Sequence, residues 1–101
     1  MNNSELFLAA EEKWGRALQL VMTLEETAEL QKEVCKIIRG DISNSRMETL
    51  ASEIADVQLM CEQLTFMYEL ESRVSGEKTY KLKRLQKLLS QPNKQERGEG
   101  K

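Results

Sequence analysis

Two pairs of acidic residues stand out by type and spacing. Glu26 and Glu29 are three apart, and so are Glu53 and Asp56. On a helix, residues i and i+3 share a face, so each pair projects as a unit. The two segments echo each other: Glu26-Thr-Ala-Glu29-Leu30 and Glu53-Ile-Ala-Asp56-Val57 both read as Glu-x-Ala-acid-apolar. Apolar neighbours frame them (Ala28, Leu30, Ile54, Ala55, Val57), and no Lys or Arg lies within four residues of Glu53 or Asp56. Carboxylates gathered in such frames repel one another unless a cation lies between them. Mg²⁺ is the natural occupant, because it is hard, prefers oxygen and keeps sites open for phosphate oxygens.

Composition narrows the chemistry further. The chain of 101 residues has no histidine. That excludes Ser-His-Asp and Cys-His catalysis, histidine-bearing zinc sites and the Glu-x-x-His di-iron bundle. Carboxylates, Lys, Arg and a hard metal ion are what remain. The net charge of −2 is unevenly spread: residues 1–76 carry net −7 and residues 77–101 net +5. An acidic body with a basic arm suits a site that holds cations and receives polyphosphate.

The elements that must position these acids are helices. One Pro, few Gly, and scarce, non-alternating β-branched and aromatic residues give strands little support. The expected fold is all-α, with four helices in one domain over 1–90. The first helix is predicted to start at Ser4, with Glu5 in its first turn, and to break at Gly15. The second runs from about Arg16 to Arg39, with Gly40 just past its end. Thr23-x-x-Glu26 offers an alternative break as a capping box. Residues 40–45 read as a loop, and Ser45-x-x-Glu48 as the capping box of a third helix reaching about Arg73. Leu50, Ile54, Val57, Cys61, Leu64 and Tyr68 form an apolar seam long enough for the chain and a second subunit. Ser75-Gly76 is the next expected break. A fourth helix follows over about Glu77 to Ser90, and residues 91–101 are expected to be disordered. The 23 residues from 30 to 52 make an antiparallel hairpin that can bring the two acid pairs level.

Cys35 and Cys61 read as buried free thiols, and Met22, Met60 and Met67 as core fillers. No apolar run is long enough to span a membrane, and the first residues do not read as a signal peptide, so the expected location is the cytoplasm. Nucleic acid is not an expected partner, because the basic arm is short, has only Tyr80 as an aromatic and belongs to a negative chain.

The acid pattern, Glu-x-x-Glu, a spacer, then Glu-x-x-Asp, resembles the signature of the MazG-like, all-α nucleoside triphosphate pyrophosphohydrolases. The strings Glu12-Lys-Trp-Gly-Arg-Ala-Leu-Gln-Leu, Glu25-Glu-Thr-Ala-Glu-Leu, Glu53-Ile-Ala-Asp-Val and Lys81-Leu-Lys-Arg-Leu are similar to small bacterial and phage members. The resemblance covers about residues 5–90. It implies an oligomeric helical bundle, a homodimer or homotetramer, with Mg²⁺ or Mn²⁺ held by Glu26, Glu29, Glu53 and Asp56. It also implies cleavage of nucleoside triphosphates between the α and β phosphates. One of the acids, or Glu25, is expected to take the proton of the attacking water, with Glu33 a further candidate. Lys81 and Arg84 share a helix face and are expected to meet phosphates. Trp14 could stack on a base and Gln19 could read one. Two competing readings are a helical oligomerisation module without catalysis and a nucleotide sensor that has lost turnover.

Overall fold

A computed structural model of the chain describes residues 1–92. Among these the structure is all-helical, in three elements: α1 (Asn3–Ile38), α2 (Asn44–Met67) and α3 (Glu71–Leu89). The chain divides into two compact units, one over Met1–Leu70 and the other beginning at Glu71. The expected tail at 91–101 lies, from residue 93 on, outside the described residues.

In the first unit, α1 and α2 form an antiparallel hairpin. Asn2 caps α1 in place of the predicted Ser4. Its side chain accepts from the Glu5 amide at 2.8 Å, and Glu5 accepts in return from the Asn2 amide at 2.8 Å. Gly15 breaks α1 as expected, with φ 81° and ψ 157°, a region essentially closed to residues with a Cβ. Arg16 holds the break closed. Its Nε donates to Glu11 at 2.6 Å, its Nη2 donates to the Met67 carbonyl at 2.9 Å, and its guanidinium lies 5.1 Å from the Tyr68 ring. Phe7 then meets Phe66 edge-on at 6.0 Å, which carries the arm before Gly15 onto the end of α2. Thr23 does not interrupt the helix; its hydroxyl donates to the Gln19 carbonyl at 2.9 Å.

The end of α1 is a Schellman turn. Gly40 has φ 103°, its N–H donates to Ile37 O at 2.8 Å, and the Asp41 N–H donates to Lys36 O at 3.1 Å. The next helix starts two residues earlier than predicted. Ser43, not Ser45, is the cap, because Asp41 accepts from the Ser43 hydroxyl at 2.9 Å and from Arg46 Nε at 3.0 Å. That turn orders Ser43, whose Oγ accepts from the Arg46 amide at 3.2 Å.

Two further boundaries differ from expectation. α2 ends at Met67 instead of running to Arg73. It closes in a second Schellman turn, with Glu69 at φ 54° where glycine is usual, and with Leu70 N–H donating to Thr65 O at 2.9 Å. The chain therefore turns at Tyr68–Leu70, and α3 runs unbroken through Ser75 and Gly76. The four expected helices become three elements: the first two are α1 with its break at Gly15, and the fourth is the later part of α3.

Candidate metal centre

The α1–α2 contact is built on a heptad stripe. Gln19, Glu26 and Glu33 follow at intervals of seven on α1, as do Arg46, Glu53, Met60 and Met67 on α2. Seven residues are two turns, so each set stays on one face. Gln19, Glu33, Met60 and Met67 are the buried members, and Glu26, Glu53 and Arg46 are half-buried. The expected seam lies to the side of this stripe. Leu50, Val57 and Leu64 are half-buried, whereas Ile54, Cys61 and Tyr68 are exposed. Cys35 and Cys61 are exposed free thiols, contrary to the buried reading. Cys61 is one position past Met60 and Cys35 two past Glu33, so helical rotation carries both off the packed face.

At the middle of the stripe, Glu26, Glu53 and Asp56 converge. Each offers a carboxylate oxygen, and the three oxygens lie within 4.8 Å of one another. None of the ion pairs among the described residues involves these acids or Glu29. Glu53 Oε1 is buried with no hydrogen-bond partner among the described residues. The surroundings disfavour ionisation. Burial, foremost, pushes the Glu26 carboxyl above its ordinary value, followed by the charges of Asp56 and Glu53, a hydrogen bond with Asp56 and the charge of Glu29. Burial likewise leads for Glu53, followed by the charges of Asp56, Glu29 and Glu33, with Lys32 opposing them.

A divalent cation fits this donor set. It consists of hard oxygens at a spacing one ion can bridge, with an orphaned buried carboxylate oxygen among them. Glu29 is exposed and not among the three that converge, although its charge is felt by Glu26 and Glu53. Glu25, one position before Glu26, is exposed.

Trp14 and Gln19, of the first unit, are not among the three that converge. Trp14 is exposed beside the Gly15 break, with the Lys13 ammonium 5.6 Å from its ring. Gln19 is almost fully buried, and neither polar atom of its amide has a partner among the described residues. An unmatched buried amide costs about 1–3 kcal/mol. Lys81 and Arg84 belong to the second unit. Lys81 pairs with Glu77 at 3.8 Å, and the Arg84 guanidinium lies 6.0 Å from the Tyr80 ring. Glu33, the further candidate proton acceptor, stands apart from the three. It is buried and bound by Arg46 at 2.5 Å and by Lys36 at 3.5 Å, and the Arg46 hydrogen bond holds its carboxyl below the usual range.

The Arg46 network is the part that sequence reasoning missed. Its signal was available: Arg46 is seven residues before Glu53, as Glu33 is seven after Glu26. Comparison of the chain with family models, with curated proteins and with solved structures returned no match. No helix among the described residues is long and apolar enough to cross a membrane.

Proposed function

We propose that the chain is a Mg²⁺-dependent nucleoside triphosphate pyrophosphohydrolase, converting a (deoxy)nucleoside triphosphate and water to the monophosphate and pyrophosphate. The observation that carries this reading is the convergence of Glu26, Glu53 and Asp56 on packed helices, with no ion pair to any of them among the described residues. The acid signature shared in pattern with the MazG-like enzymes supports the reaction class.

Glu26, Glu53 and Asp56 would hold the ion, with Glu29 joining from the next turn of α1. A Mg²⁺ or Mn²⁺ ion held there would supply positive charge to neutralise phosphate oxygens. The protein's own part is to keep the acids converged and to take a proton. Glu26, whose carboxyl binds protons more tightly than an ordinary glutamate, and the neighbouring Glu25 are the acceptors in this scheme. Trp14 and Gln19 are assigned to the base; the Gln19 amide would have to swing out of its buried position to reach one.

The reading includes a homodimer or homotetramer in the cytoplasm. Its support is the small core: among the described residues Met60 and Met67 are the buried hydrophobic side chains, while Leu24 is 70% exposed and Ile38 78%. That exposure equally favours a helical oligomerisation module without catalysis, and activity decides between the two.

The deciding assay is pyrophosphate release across canonical and modified nucleoside triphosphates, with and without Mg²⁺, for the full chain and for Glu53→Gln. Metal-dependent release, reduced at least about 100-fold in the variant, is expected. Equal release by both proteins rejects the site. No release on any substrate leaves the oligomerisation module.

A further inference from the structure

We infer that Arg46 is a positioning residue: its ion pair with Glu33 locks the α1–α2 hairpin in the one register that makes Glu26, Glu53 and Asp56 converge. The role in metal binding rests on the reading above; the role in register does not.

The geometry is a lever of equal arms. Glu33 lies seven residues after Glu26 on α1, and Arg46 lies seven before Glu53 on α2. In an antiparallel pair, those intervals place Glu26 opposite Glu53, about 10.5 Å from the Glu33–Arg46 contact along both helices. A slip of one turn, about 5.4 Å, would separate the acids. At the far end of the hairpin Arg16 also crosses to α2, donating to the Met67 carbonyl at 2.9 Å, but the side chains of the stripe between that contact and Arg46 resist a slip weakly. Gln19 makes no side-chain hydrogen bond, the acids repel, and Met60 and Met67 are adaptable in shape. Arg46 can resist it because it is tied at two places. Its Nη1 donates to Glu33 Oε1 at 2.5 Å, and its Nε donates to Asp41 Oδ2 at 3.0 Å, in the connecting turn. Lys36 approaches the other Glu33 oxygen at 3.5 Å. The Glu33 side chain is only 5% exposed and that of Arg46 21%, so a slip would strand a carboxylate away from water. A buried ion pair is weak as a source of stability; fixing register is its best-attested use.

The two native cysteines report register without metal. Both are exposed, one on each helix, and the observed pairing sets them about 25 Å apart along the helix axes. Spin labels on Cys35 and Cys61, diluted with unlabelled chain so that only intrachain pairs register, give that distance directly. Three proteins are compared: the native chain, Arg46→Lys, and Glu33→Met with Arg46→Met, which keeps the contact filled and apolar. Mn²⁺ affinity is measured on the same samples. The native chain should give one narrow distance. The double Met variant should keep its helical circular dichroism and melting midpoint, yet show a distribution broadened or shifted by about 5 Å and Mn²⁺ affinity lowered about 10-fold. Arg46→Lys should retain the native distance and most of the affinity. A narrow, native distance in the double Met variant overturns the inference. So does a changed distance with unchanged Mn²⁺ affinity, since the register would then not serve the acids. If the native chain binds no Mn²⁺, the metal reading fails, and the distance alone still decides whether the pair sets register.

Discussion

Two glutamates of α1, two turns apart on the same face, meet α2 in opposite circumstances. Glu33 is the more buried, yet it is answered by Arg46 and Lys36 and is held ionised. Glu26 is the more accessible, yet it faces Glu53 and Asp56 with no base beside it, and its proton is held more tightly than usual. Both levels put carboxylates between the same two helices. At one the protein supplies the counter-charge; at the other it withholds it. Burial alone therefore does not decide how tightly a carboxyl of this stripe holds its proton. What decides it is whether the charges beside it are opposite, as at Glu33, or like, as at Glu26.

The strongest way to break this contrast is to add the divalent cation that the proposal places among Glu26, Glu53 and Asp56. Saturating Mg²⁺ at about 100 times its Kd adds about 2.7 kcal/mol to the native state, which raises the melting midpoint by about 10–20 °C. Glu53→Gln should melt higher than the native chain without metal and respond little to Mg²⁺. A native chain whose midpoint ignores Mg²⁺ would erase the difference between the levels.

Acid titration separates them by sign. The Glu26 and Glu53 carboxyls are raised on folding, so the folded chain binds more protons there. Without metal, that level costs stability as pH climbs from about 4.5 through the raised values. The Glu33 and Asp41 carboxyls are lowered, so their contribution is complete above the unfolded values of about 4.5 and 3.8 and is lost as pH falls through the folded ones. Metal-free stability should thus peak in mild acid. Mg²⁺ should remove the decline above the peak and leave the decline below it. Melting curves across pH with and without Mg²⁺ test both arms.

Two smaller changes sharpen the contrast by touching neither level. Gly15→Ala puts a Cβ at φ 81° and should cost about 1–3 kcal/mol by chemical denaturation while leaving the Mg²⁺ response intact. Glu69→Gly relieves a left-handed residue and should add about 0.5–1 kcal/mol, again with the metal response unchanged.

Much of this was legible in the sequence, and the misses share a cause. The helical class, the break at Gly15 and the turn at Gly40 follow from composition and from glycine's freedom. The spacing of the acids predicted a hairpin that brings them level, and three of the four predicted ligands converge. The end of α2 was missed because Glu69 occupies a position that normally announces itself with glycine, while Gly76, which looked like a stop, sits inside α3. The start of α2 was missed because Ser43 and Ser45 are equally good caps locally. Asp41 and Arg46, acting through tertiary contacts, select between them. The apolar seam from Leu50 to Tyr68 is expected to pack against the chain and a second subunit, because apolar residues usually fill such contacts. Here the central stripe carries Gln19, Glu26, Glu33, Arg46 and Glu53 beside Met60 and Met67, so polar residues share the contact and Leu50 and Leu64 flank it.

The most direct test is to follow every side-chain carboxyl by ¹³C NMR while Mg²⁺ is titrated into the full chain. The signals of Glu26, Glu53 and Asp56 should move together and saturate, while those of Glu33 and Asp41 stay fixed. Uniform, unsaturable drift of all the acids, or no movement at the three, would contradict a built cation site between α1 and α2.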